Sequence, residues 1–137
     1  MKITLKRPQT PAMPSELYTL INQVLMTAEP KSSNAITLNF RDPEYSAEAG
    51  GFHPVEIRLE KQDAHWRMVY MTDFAFHGYP IPELIKDIDI CFNSNQVYSS
   101  LCGWMCPQEC KELIKLFIEN FISYHSMDVY QVRVSHD

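Results

Sequence analysis

The side chains best suited to acid–base chemistry in this chain are His53, Glu56, Asp73 and His77. A histidine within hydrogen-bond reach of a carboxylate can take up and return a proton near neutral pH, where imidazole titrates. On spacing alone His53 has two partners open to it, Asp73 and Glu56. No serine or cysteine stands in a nucleophile-elbow pattern, and the Gly50-Gly51 pair by itself is not a phosphate loop. The four residues therefore read first as polar ties between a long loop and a sheet. A small enzyme using His53 with Asp73 or Glu56 is the alternative.

Two further patterns bear on metals. Cys102, Cys106 and Cys110 recur at every fourth position. A zinc site needs four ligands, and Cys110 falls on the apolar stripe of a helix while Cys102 falls at a strand end. Free cysteine is commonly a small buried hydrophobe, which is the reading adopted. Asp87-Ile88-Asp89 would put two carboxylates on one strand face, an arrangement that suits a divalent cation. The same spacing is that of any half-exposed strand. The sequence assigns neither a metal nor a cofactor.

The elements that must position these residues follow from periodicity. Leu17, Leu20, Ile21, Val24, Leu25 and Ala28 form one helical stripe, with Pro14 in the first turn and Pro30 as the stop. Ala35–Phe40 alternates as a strand with Ile36, Leu38 and Phe40 inward. Residues 41–52 carry no periodicity, and loops of that length are often functional. Val55, Ile57 and Leu59, then Trp66, Met68 and Tyr70, predict an antiparallel hairpin turning near Lys61–Asp63. Avoidance of like charges opposite one another favours a register pairing Glu56 with Arg67. Residues 73–82 read as an aromatic, proline-bounded connection. Strands at 87–92 and 96–101 follow, then a helix from about Pro107 to His125 and a last strand at 129–134. The helix stripe is Cys110, Leu113, Ile114, Phe117, Phe121 and Ile122. Glu109, three residues after Cys106, resembles a capping box.

The order helix, run of strands, helix, strand predicts an α+β fold, a mainly antiparallel sheet with two principal helices packed on one face. Alternating βα units are absent, which removes the nucleotide crevice of a doubly wound sheet. The 137 residues suit one globular domain, residues 1–13 forming an extended arm with an edge strand at Lys2–Leu5. With 45% apolar and 21% charged residues the chain has the material for one core. A net charge of −5 with scattered Lys and Arg predicts no nucleic-acid partner. No apolar run is long enough to cross a membrane, no secretory leader is visible, and four cysteines are few for a stapled scaffold. The expectation is a cytoplasmic protein.

The runs Asn39-Phe40-Arg41-Asp42-Pro43-Glu44-Tyr45-Ser46 and Gly50-Gly51-Phe52-His53-Pro54-Val55-Glu56-Ile57-Arg58-Leu59, with Asp73-Phe74 downstream, resemble an uncharacterised bacterial family, domain of unknown function 2787. The resemblance covers nearly the whole chain. It implies a small bacterial cytoplasmic protein and carries across no activity, cofactor or catalytic residue. The function expected from the residues is a non-catalytic interaction module that contacts a protein partner or a second copy of itself. Its expected contact surface is Arg41, Asp42, Tyr45 and Phe52 of the loop with Phe74, Phe76 and Tyr79 of the aromatic connection, because binding energy concentrates on loops and exposed rings.

Overall fold

The computed structural model describes residues 3–8, 11–29 and 31–137. Lys2 of the expected edge strand and Pro30, the expected helix stop, lie outside the described residues. Among the described residues eight strands form one sheet: β1 Leu5–Lys6, β2 Ala35–Arg41, β3 Val55–Gln62, β4 His65–His77, β5 Glu83–Cys91, β6 Gln96–Ser99, β7 Gly103–Met105 and β8 Gln131–His136. Their order is β7-β6-β5-β4-β3-β2-β8, every neighbour antiparallel, and β1 lies parallel to β4 at Leu5 and Trp66. Helices α1, Ser15–Met26, and α2, Lys111–Ser126, complete the α+β architecture; a 3-10 turn at Pro107–Cys110 leads into α2.

Alternation explains which face is dry. Ile36, Leu38 and Phe40 of β2 and Val55, Ile57 and Leu59 of β3 are buried, while Thr37, Asn39, Glu56 and Arg58 are only half-buried on the other face. Leu17, Leu20, Ile21, Val24 and Leu25 of α1 close over the dry face with Ile114, Phe117, Ile118 and Phe121 of α2, so both helices pack on one side. Phe121 meets Phe40 edge-on at 4.8 Å between ring centres. Each such side chain contributes about 1.5–3 kcal/mol by leaving water. Ala28 falls beyond the end of α1, which stops at Met26, and Ile118 joins the α2 stripe.

The hairpin forms in a different register from the one expected. Glu56 opposes Thr72, and Arg67 opposes Glu60. A two-residue turn, Asp63-Ala64, joins Gln62 to its partner His65, with Asp63 at φ 57°. That short turn dictates the pairing. Arg58 then pairs with Tyr70 but Leu59 with Met68, so Val69 is an extra residue in β4. A bulge of this kind reverses the facing of everything beyond it. Met71, not Tyr70, therefore enters the core, and Tyr70 donates a hydrogen bond to Glu56 on the polar face.

A second shift, between Asp73 and Phe74, opposes these residues to Ile88 and Lys86 and leaves Asp87 as the extra residue of β5. Strand β4 also runs on to His77, so Phe74 and Phe76 belong to a strand and not to a connection. Residues 74–77 of β4 pair with 83–86 of β5. Strand β3 stops pairing at Asp73, and β6 begins opposite Ile88. The result is a two-stranded ribbon continuing past the sheet. Strand β7, unforeseen in the sequence, adds an edge beyond β6.

Candidate functional site

The long loop after β2 is built by one carboxylate. Asp42 is buried; its Oδ1 accepts the N–H of Glu44 at 2.9 Å and its Oδ2 that of Phe52 at 3.0 Å. Gly51 sits at φ 131°, and a Cβ there would meet Asp42 Oδ2 at 2.9 Å and the Cα of Tyr45 at 3.0 Å. Only glycine permits that backbone at that approach. The fold thereby delivers Phe52 to the face of α2, where its ring lies 4.6 Å from that of Tyr124, and delivers His53 to Asp73, where β4 stops pairing with β3.

His53 Nδ1 lies 3.1 Å from Asp73 Oδ2 and 3.9 Å from Asp87 Oδ2. The other oxygen of each carboxylate is held by the protein: Asp73 Oδ1 accepts the Ile88 N–H at 2.7 Å, and Asp87 Oδ1 accepts the Ser100 hydroxyl. His77 Nε2 stands 3.6 Å from Asp87 Oδ1. The hydrogen bond to Asp73 raises the His53 pKa above its usual value; partial burial opposes this, and the charges of Asp73 and Asp87 add to the rise. Tyr130 donates to the His53 carbonyl at 3.3 Å, and the Tyr45 ring lies 5.4 Å from the imidazole.

His53, Asp73, Asp87 and Tyr130 form one wall of a cavity of about 330 Å³ whose other walls include Leu113, Leu116, Phe117 and Tyr124. Convergent polar groups on an apolar background are the usual make-up of a ligand pocket. A larger cavity, about 650 Å³, lies between residues 11–14 and α2 and shares no lining residue with it.

Of the acid–base residues singled out in the sequence, His53, Asp73 and His77 come together. Glu56 does not, since alternation turns it to the opposite face, against Tyr70. Burial and the Glu56 carboxylate both raise the Tyr70 phenol's pKa. Asp87 is the member that sequence reasoning missed in this role. Asp87 and Asp89 do not share a site, because Asp89 instead accepts from Thr72 and meets Lys86. The bulge at Asp87 parts them, and a bulge leaves no mark in the hydrophobic pattern.

The expected contact residues divide. Tyr45 packs on Phe76 at 5.2 Å and accepts that residue's N–H, Asp42 is internal, and Arg41 is exposed at the end of β2. Phe74 and Phe76 are half-buried in β4, and Tyr79 is 96% exposed. Among the cysteines, Cys110 is buried while Cys102 and Cys106 are exposed. Glu109 accepts the Cys106 N–H as the capping arrangement anticipated.

Fold and site together define an α+β protein with one mainly antiparallel sheet, two helices on its dry face and a His–Asp cluster where the sheet meets α2. The chain belongs to the family described as "Protein of unknown function (DUF2787)", whose family model matches residues 15–135. It is similar to the structure of a hypothetical protein from the VSP-II pathogenicity island of Vibrio cholerae, with 32% identity, TM-score 0.90, and 99% of this chain and 100% of that one covered. It is also similar to a conserved hypothetical protein from the VPI-2 pathogenicity island of the same species, with 30% identity, TM-score 0.78 and 98% of each chain covered. That second protein is described as sharing structural homology with the human P32 protein. No curated protein matches the chain. No helix among the described residues is long and apolar enough to cross a membrane.

Proposed function

We propose that the chain is a non-catalytic protein-interaction module whose contact surface is the β4–β5 ribbon, residues 74–86, flanked by Tyr45 of the loop. One observation carries this reading: the turn of the ribbon and its β5 strand carry apolar side chains that are exposed. Tyr79 is 96%, Ile81 77%, Leu84 47% and Ile85 40% exposed. Directly opposed strand residues share a face, so Phe74, Phe76 and Leu84 line one side and Ala75 and Ile85 the other. A clustered apolar surface of this kind on a small protein marks a contact site. The outer edge of residues 83–86 pairs with no other strand among the described residues and offers backbone donors and acceptors to an added strand.

Beside the ribbon, His53, Asp73 and Asp42 serve to hold the loop in place. A bacterial source accords with the Vibrio cholerae relatives, and a cytoplasmic setting with four unpaired cysteines.

The test is to replace Tyr79, Ile81 and Leu84 together by Ser and compare partner capture from the native host with that of the wild type, alongside sedimentation of each. Loss of a partner or of self-association, with unchanged thermal stability, is the expected outcome. Identical capture and sedimentation would overturn the assignment.

The cavity favours a second reading, a small enzyme in which His53 and Asp73 move a proton; Glu56 has no place in it. Turnover of any substrate that survives His53→Ala unchanged would exclude it.

A further inference from the structure

The His53 cluster has a geometry that loop anchoring does not require. Each carboxylate has one oxygen fastened from behind, Asp73 Oδ1 by the Ile88 N–H and Asp87 Oδ1 by the Ser100 hydroxyl. Each turns its second oxygen towards the same imidazole nitrogen, at 3.1 Å and 3.9 Å. The three donor atoms lie within 4.8 Å of one another. Ligands bound to one cation at about 2.1 Å are at most about 4.2 Å apart, and neighbours in tetrahedral or octahedral geometry stand roughly 3.0–3.4 Å apart. The 3.1 Å distance from His53 to Asp73 falls in the range for neighbouring ligands, and the 3.9 Å distance to Asp87 lies below the maximum of about 4.2 Å. Outer partners that fix the orientation of ligating groups are the usual support of a metal centre.

The charges also suit a cation. Two carboxylates and a neutral imidazole present a charge of about −2, which a divalent ion neutralises. His77, 3.6 Å from the far oxygen of Asp87, supplies a second imidazole beside them. His53, Asp73 and Asp87 all line the cavity, which gives water or a ligand access to them.

We propose that His53 Nδ1, Asp73 Oδ2 and Asp87 Oδ2 bind one divalent transition-metal cation, with His77 adjacent. The three ligands lie outside the ribbon, and the site stands whether or not the ribbon is a contact surface. Imidazole with carboxylates suits Mn²⁺, Fe²⁺, Co²⁺ or Zn²⁺. Mn²⁺ is the probe of choice because the exposed thiols of Cys102 and Cys106 attract softer ions.

The experiment uses the full chain, stripped with a chelator and titrated calorimetrically with MnCl₂. One equivalent is expected to bind. Affinity should fall about 100-fold in Asp87→Asn, an isosteric change that keeps an oxygen for Ser100. In the wild type, Mn²⁺ should also broaden the imidazole resonances of His53 and His77 before those of His65, His125 and His136, a readout that needs no variant to fold. Absence of saturable binding, equal affinity in Asp87→Asn, or broadening centred on another histidine would each overturn the site.

Discussion

His53 Nδ1 stands 3.1 Å from Oδ2 of Asp73, and this contact joins the long loop to the middle of the sheet. Asp73 is 6% exposed and its other oxygen is bonded to the Ile88 N–H, so the carboxylate is fixed before the imidazole meets it. Removing either side chain leaves a polar group at this junction without its partner.

That orphaning sets the first expectation. His53→Ala and Asp73→Asn should each lower stability by about 1–3 kcal/mol, the cost of a buried polar group losing its partner. Amide exchange of residues 42–54 should quicken in both. Neutral or stabilising changes in both variants, with exchange unaltered, would favour the enzyme reading, since active-site residues are often not optimised for folding.

The same contact gives a pH dependence. The folded-state pKa of His53 is raised by its bond to Asp73. A raised pKa means stabilisation fully present below the unfolded value of about 6.5 and lost as pH climbs through the folded value. The stability difference between wild type and His53→Ala, measured by urea unfolding with chelator present, should therefore be larger near pH 6 than near pH 9. A gap that widens with rising pH would contradict the pairing.

Two adjacent glycines separate backbone strain from steric clash. Gly50, at φ 73°, has open space where a Cβ would point, whereas Gly51 at φ 131° faces Asp42 and the Tyr45 backbone. Gly50→Ala should cost about 1 kcal/mol, the left-handed penalty alone. Gly51→Ala should cost more, about 2–3 kcal/mol, with Phe52 and His53 displaced. Equal thermal shifts for the two would mean that the loop yields easily.

The core offers a control. Phe121 is 1% exposed and packed edge-on against Phe40, so Phe121→Ala should destabilise by about 3–5 kcal/mol. Leu20→Ala, at 4% exposure on α1, should cost about 2–5 kcal/mol. Denaturant midpoints that barely move for both would place the helices elsewhere.

Periodicity alone determined the two helices, the presence of strands β2, β3, β5, β6, β8 and the first part of β4, and the faces that α1, β2 and β3 bury. The reason is that helical and strand spacing decide locally which side chains can leave water together. Leu17 to Leu25 and Ile36 to Phe40 show it directly, as does the long loop between β2 and β3. What the spacing left open is how strands pair, because register depends on turn length and on bulges that the hydrophobic pattern does not record. The Asp63-Ala64 turn moved Arg67 opposite Glu60, and Val69 sent Tyr70 out and Met71 in. The same cause governs the site. His53 and Asp73 were legible as neighbours across a hairpin end, but choosing Asp73 over Glu56 required strand alternation in three dimensions. Asp87 reached His53 only because an extra residue in β5 turned it away from Asp89, a consequence of pairing between distant segments.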